Sequence, residues 1–249
     1  MSAPAPPLRR VLAQSGFEAR ALLGRSEQVL LALVLPALAL VALSATDAVE
    51  LGLGEGRRVD VVAPGVIALA VLATAFTSQA ILTAFDRRAG VLRLLATTPL
   101  GPGGLLGGTV GGVLVVQLLQ VLVLGGIALV LGWSPALAGL GWALLAIALA
   151  TASFTALALL LAGTLRAEAV LGLANLVFVL LAAGGAVLIP AERLPGPVAA
   201  LATLLPSGAL GEALRTALST GALPGRELAV LAVWAVLASL AARRWFRWF

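Results

Sequence analysis

The chain reads as an all-α polytopic membrane protein with six transmembrane helices, an N-terminal interfacial helix and an outer re-entrant helical hairpin before the last span. Three observations predict this. Of 249 residues, 61% are hydrophobic and 11% are charged. A soluble domain carries about 25% charge and could not cover its surface with so little. The charges also cluster, and the gaps between clusters have the length of a membrane span, roughly 17–25 residues. Finally, the apolar runs lack the alternation of barrel strands, which leaves helices as the structure that satisfies every backbone group in lipid.

Residues 1–28 form a cytoplasmic tail and the interfacial helix. At about 100° per residue, Leu8, Val11, Leu12, Ser15, Ala19, Leu22 and Leu23 share one face. Arg10, Gln14, Glu18 and Arg25 fall elsewhere, and Phe17 departs from the pattern. Such a helix lies along the cytoplasmic leaflet.

Residues 29–249 form the transmembrane domain. Val29–Thr46 is the first span, with Pro36 inside it, and Val61–Phe85 is the second. The loop over 86–101 opens on charges, continues with Val91, Leu92, Leu94 and Leu95, and stops at Thr98-Pro99. That order predicts a short amphipathic helix ended by the proline. From Leu94 to Leu165 there is no charge. The stretch is too long for one helix, and Gly132-Trp133-Ser134-Pro135 divides it into spans over 104–131 and 136–165. Ala169–Pro190 is the fifth span.

The segment over 191–222 is charge-free from Leu194 to Gly211 and holds Pro195, Pro197 and Pro206. It reads as two short helices, over 197–204 and 208–220, either dipping into the membrane as a hairpin or forming an ordinary outer cap. The sixth span runs over 223–242, with flanking arginines snorkelling to the surface. Arg243 to Phe249 alternates basic and aromatic residues, an interfacial anchor.

All 16 basic residues are Arg, and the net charge is +5. With the N-terminus inside, the inner segments hold eleven arginines and a net +7, and the outer ones a net −2. The positive-inside rule therefore places both termini in the cytoplasm. The first apolar run has span length and follows about 28 residues, so no cleavable signal peptide is expected. Anionic lipid accounts for the basic balance, and the dispersed arginines predict no nucleic-acid partner.

The missing residue types narrow the chemistry. Without Lys there is no Walker A loop. Without His or Cys there is no ordinary zinc site, no His or Cys haem ligand, no catalytic triad and no thiol nucleophile. The spans hold no central ionisable residue, which argues against a proton-coupled carrier and against an intramembrane protease. No enzyme is expected.

Two sets of residues stand out inside the spans. The third carries Gly104, Gly107, Gly108, Gly111 and Gly112. Gly104, Gly108 and Gly111 lie close around the helix and form a face for helix packing. The amides Gln79, Gln117, Gln120 and Asn175 either hydrogen-bond between helices of one protomer or line a path.

The chain resembles the ABC-2 type transporter permeases, in particular the branch of daunorubicin-resistance exporters. Ala63-Pro64-Gly65 opens the second span, which ends in Phe85-Asp86-Arg87-Arg88-Ala89-Gly90-Val91-Leu92 and leads to Thr98-Pro99-Leu100. Leu204-Leu205-Pro206 with Glu212-Ala213-Leu214-Arg215 is similar to the family's stretch before the final span. The sequence departs from the pattern at Arg88, where a second acid is frequent, and at Val91, where Ser or Thr is frequent.

The resemblance implies a permease subunit in a bacterial plasma membrane that moves a hydrophobic or amphipathic substrate, drug- or lipid-like, out of the cytoplasm. It implies no cofactor in this chain, with ATP and Mg on two separate ABC ATPase subunits, and a second permease copy or a homologous permease as partner. Asp86, Arg87, Arg88, Gly90, Leu92, Thr98 and Pro99 would belong to the segment that couples to the ATPase. Arg87 and Arg88 would dock electrostatically and Leu92 would be the apolar anchor. Gln79 and Asn175, then Gln117 and Gln120, are the candidates for lining the path. Two other readings stay open: a haem-exporter-type permease of cytochrome c maturation, and a non-transporting membrane scaffold.

Overall fold

The computed structural model describes residues 5–24, 26–45, 57–185, 187, 188, 190 and 193–246. Arg25, Thr46, Ala191, Arg247, Trp248 and Phe249, used above for the interfacial helix, the first span, the hairpin and the anchor, lie outside them. Among the described residues the fold is all-helical. Helix α1 is Pro7–Leu23 and α2 is Ser26–Ala45. α3, Arg58–Leu72, runs through a π-helical turn at Ala73–Ser78 into α4, Gln79–Arg88. α5 is the short Val91–Ala96 and α6 the long Gly101–Val130. A 3-10 turn at Leu137–Gly139 leads into α7, Leu140–Thr164, and then α8, Ala167–Gly184. α9 is Gly196–Leu204, α10 is Pro206–Thr220 and α11 is Gly225–Trp245.

Five of these stretches are long and apolar enough to cross a membrane: Arg58–Arg88, Gly101–Val130, Leu137–Thr164, Ala167–Gly184 and Gly225–Trp245. The pair α9 and α10 passes the same test as one span bent by 91°. The described apolar part of α2, Ala32–Ala45, is shorter, although the whole helix of 20 residues is about 30 Å long. Glycines set the main breaks. Gly90, Gly132 and Gly221 take φ of 82°, 92° and 72°, a region closed to most side chains. Each follows a helix end, at α4, α6 and α10. α8 ends at Gly184, earlier than the uninterrupted apolar run to Pro190. Gly185 presses on Ser207 and Gly208 of α10, and Ser207 Oγ donates to Leu181 O at 2.7 Å.

Helix α10 is the hub. From Pro206 to Leu218 nearly every residue is buried, and α10 packs on α3, α7, α9 and α11. The approach is backbone to backbone: no Cβ fits at Gly139 against Ala217 O, or at Gly208 against Ala202 O. The second arm of the hairpin, α10, is therefore part of the core, whereas α9 buries only Ala202.

The glycine face of α6 has a partner, α1. Gly107 meets Val11, Gly108 meets Gln14, Gly111 meets Ser15 and Gly112 meets Glu18. The contacts advance together along both helices, so α1 runs in the same sense as the first half of α6. Gly104 is the exception to the expected face, because it faces Leu100 of its own approach segment. The buried side of α1 differs from the apolar face drawn from periodicity. Gln14, Ala19 and Leu22 are buried, whereas Leu8, Leu12 and Leu23 point outward with Phe17. Small residues, not a greasy stripe, determine which side lets two backbones close.

This packing predicts the effect of Gly108→Leu. A leucine has no room against Gln14, and overpacking of this kind costs about 1–3 kcal/mol. Amide exchange over residues 7–23 should rise strongly while α7 and α10 keep their protection, as read by hydrogen exchange.

Candidate functional site

The residues singled out above fall into two places, an elbow where α4 meets α5 and a polar interior along α3, α6 and α7. Asp86, Arg87 and Arg88 are not in a loop but in the last turn of α4. Gly90 then turns the chain through the left-handed region, and α5 begins at Val91. Thr97 and Thr98 close α5 by donating to Leu94 O and Leu95 O, at 2.7 and 2.6 Å. Pro99 O accepts from Arg10 of α1, so the exit of the elbow is tied to the N-terminal helix.

Both expected docking arginines are used inside the protomer. Arg87 Nη1 donates to Ala162 O at 2.7 Å and to Leu165 O at 3.2 Å. These carbonyls at the end of α7 have no helical partner, and a cation there also meets the negative end of the helix dipole. Arg88 pairs with Glu168 in the first turn of α8. That pair is exposed, and such pairs are worth about 0–1 kcal/mol. Leu92 is also turned inward at 3% exposure, whereas Leu94 is 71% exposed. Leu92, expected as the apolar anchor, thus packs α5 onto its own protein, and Leu94 is the apolar residue that α5 presents. A six-residue helix after a glycine turn can orient either way, and periodicity alone does not choose.

The polar interior starts at the π-helical turn. Thr74 lies on that turn, and Gln120 Nε2 donates to its Oγ1 at 2.9 Å and to Ala32 O at 3.0 Å. Gln117 Nε2 donates to Val71 O at 3.4 Å, and Thr151 Oγ1 lies 2.5 Å from Gln117 Oε1. These two amides therefore tie α6 to α2, α3 and α7. Gln79, 3% exposed, makes only a long bond of 3.5 Å to Thr83 Oγ1. Its Oε1, with Thr77 Oγ1, Ser153 Oγ and Thr155 Oγ1, has no hydrogen-bond partner among the described residues. α7, which carries Ser153 and Thr155, packs on both the π turn and α4. Asn175 stands apart on the exposed side of α8 and donates to Leu171 O at 2.8 Å. The structure thus brings Gln79, Gln117 and Gln120 into one interior and leaves Asn175 outside it.

Three features were not anticipated. The first is the π turn, whose signal is the dense Thr74, Thr77, Ser78, Gln79 run; π turns recur at functional positions. The second is Arg215, 8% exposed in α10. Its Nη1 donates to Val187 O at 3.0 Å and its Nη2 to Glu212 Oε1 at 3.2 Å, over Gly65 of α3. An i,i+3 Glu–Arg pair in a charge-poor segment was the available clue. The third is an apolar cavity of about 320 Å³ between α3, α6, α7 and α10, lined by Ile67, Leu122, Trp133, Ile147, Leu214 and Leu218 among others.

Substituting the two interior glutamines tests their tying role. Gln117→Leu and Gln120→Leu should each lower stability in detergent by about 0.6–1.7 kcal/mol, the range for hydrogen bonds between membrane helices. Gln79→Leu, whose acceptor is unpaired, should cost less than either in the same thermal melts.

Against protein families, the chain matches the one described as ABC-2 family transporter protein over residues 31–243, most of its length. No curated protein matches it.

Proposed function

The chain belongs to the ABC-2 transporter family, as a permease of an ABC-type transporter, and from that premise we propose that it exports a hydrophobic or amphipathic substrate from the cytoplasm. ATP and Mg act on two separate ABC ATPase subunits, and a second permease, identical or homologous, completes the path. The protein sits in a bacterial plasma membrane with both termini in the cytoplasm, where eleven of the 16 arginines then lie.

The observation that carries the mechanism is the α4–α5 elbow. A short helix with an exposed Leu94 directly continues the most enclosed span, Arg58–Arg88. ATP binding closes the ATPase pair, the pair displaces α5, and Gly90 passes the movement into α4. Arg87 and Arg88 carry it further, to the ends of α7 and α8. The arginines thus act within the permease, and the contact with the ATPase falls to Leu94 and its neighbours.

The substrate class is supported by the cavity of about 320 Å³, whose lining is almost wholly apolar. Pockets of about 300–1,000 Å³ hold drug-sized molecules. Gln79 and Asn175 are the path candidates with capacity left, one through its unpaired acceptor and one through its exposed position.

Two substitutions separate coupling from folding. Leu94→Asp should reduce co-purification with the ATPase subunit and its stimulated ATP hydrolysis at least tenfold, while the chain still inserts and melts as before. Leu92→Asp buries a carboxylate and should instead lower the yield of folded protein, with a loss of several kcal/mol. Full coupling in the Leu94→Asp complex would refute the assignment of α5.

A further inference from the structure

The apolar cavity between α3, α6, α7 and α10 has a fixed roof, the turn over 132–136. Arg57 Nη1 donates to Gly132 O at 2.7 Å, Trp133 N to Ala128 O at 2.9 Å and Ala136 N to Leu218 O of α10 at 2.7 Å. Gly132 holds φ of 92°, and a Cβ there would press on Arg57. Trp133 and Pro135 line the cavity from this turn. Ile67, Ile147, Leu214 and Leu218, all buried, form its inner wall.

The opposite side is open. Leu122 and Leu129 of α6, with Leu140 and Leu144 of α7, line the cavity and are exposed. Between the first two stand Gly125 and Gly126, and nothing lies within 4 Å of a Cβ at Gly126. A gap between two apolar helix faces, with glycines at its centre, leads sideways into the bilayer. From Val121 to Leu129 α6 rises about 12 Å, most of a hydrocarbon leaflet of about 15 Å. In the orientation proposed above, that leaflet is the outer one.

The walls select the occupant. No lining residue is charged, so an ion would lose its hydration and find no counter-charge. A phospholipid tail meets another obstacle. Its headgroup belongs at the membrane surface, where the hydrogen-bonded roof closes the cavity. An uncharged molecule free in the leaflet passes below the roof. The cavity also lies away from α8, which carries the path candidate Asn175. α10 is the partition. Leu214 and Leu218 face the cavity, whereas Gly211 and Arg215 meet Val187, and Ser207 donates to Leu181 of α8. We propose that the cavity is an accessory site, separate from the path along α8, for an uncharged drug-sized hydrophobe taken sideways from the outer leaflet. The identity of that molecule rests on the export reading: hydrophobic cargo delivered outward collects in this leaflet, so the site takes the product of transport.

The test is photolabelling of the purified full-length chain, without ATPase, in phosphatidylcholine nanodiscs. The probe is an uncharged aromatic hydrocarbon bearing a diazirine, and adducts are mapped by peptide mass spectrometry. Labelling should concentrate in peptides covering 121–144. Gly125→Leu and Gly126→Leu each put a side chain into the cavity and should lower that labelling about tenfold, the worth of one buried aliphatic side chain, while the chain melts as before. Gly172→Leu adds the same side chain in open space on α8 and should leave the labelling intact. Even labelling of all lipid-facing helices, or equal loss in Gly172→Leu, would mean simple partition into the bilayer and overturn the site. A quaternary-ammonium analogue that labels the same peptides equally would overturn the uncharged class. Phosphatidylcholine with a diazirine in its acyl tail, labelling as strongly as the free probe, would make the cavity a tail slot and overturn the proposal. The export reading fails elsewhere, in the coupling of the Leu94→Asp complex, so absent labelling overturns this site and leaves that coupling untouched.

Discussion

Contact between helix backbones at glycine is the constraint on which the rest of this bundle depends. In lipid there is no hydrophobic drive between helices, because the surrounding tails are as apolar as leucine. Dispersion and hydrogen bonding must hold the helices, and both fall steeply with distance. The chain meets this by removing side chains where helices meet. Gly107, Gly108, Gly111 and Gly112 admit α1, Gly139 and Gly185 admit α10, and Gly208 of α10 admits α9. Gly163 likewise leaves room for Phe246 after α11. These seams decide which helices are neighbours and therefore which polar groups come within reach of one another.

Once the seams are set, the few polar residues act as short ties. Gln117 and Gln120 reach three helices between them because α6 is held close to each. At the membrane edges the charged residues take over. Arg57 donates to Gly132 O at 2.7 Å, joining the start of α3 to the end of α6. Arg87 does the same between α4 and α7. A low charge content is thus compatible with tight edges, since each guanidinium satisfies carbonyls that a helix end leaves open. Arg215 shows the same economy inside the core, where it holds Val187 and Glu212 together over Gly65.

What the sequence made legible follows from this division. Hydropathy and the charge gaps are properties of one helix against lipid, so the all-helical class with its five or six membrane-spanning helices could be read directly. The orientation of a helix against its neighbours is a property of two surfaces, and there the reading failed in identifiable ways. Periodicity put Gln14 on the polar side of α1, yet the α6 glycines draw it inward. It offered Leu92 and Leu94 as equals, and the turn at Gly90 buried one and exposed the other. It carried no signal that Arg87 donates to the carbonyls at the end of α7. Charge placement alone puts Arg215 with the outer segments and carries no signal of its burial in α10.

A bundle held by seams can move only where the seams are absent. The tightest stretch, α10 against α9, the end of α8 and the 3-10 turn before α7, is locked by close contacts that leave no room for a Cβ. Along α4 and the π turn the situation differs. Thr77, Gln79, Ser153 and Thr155 bury polar atoms that find no partner among the described residues, and each such atom costs about 1–3 kcal/mol until it is satisfied. A π turn also holds one residue more than an α-helical turn, which lets the segment shift register without breaking the helix. The elbow at Gly90 stands directly beyond this stretch. A push on α5 would therefore meet a helix with the π turn close by, while its far end is held by Arg57 at Gly132. On the proposed coupling, the response to expect is sliding of α4 along α7, the helix that carries Ser153 and Thr155.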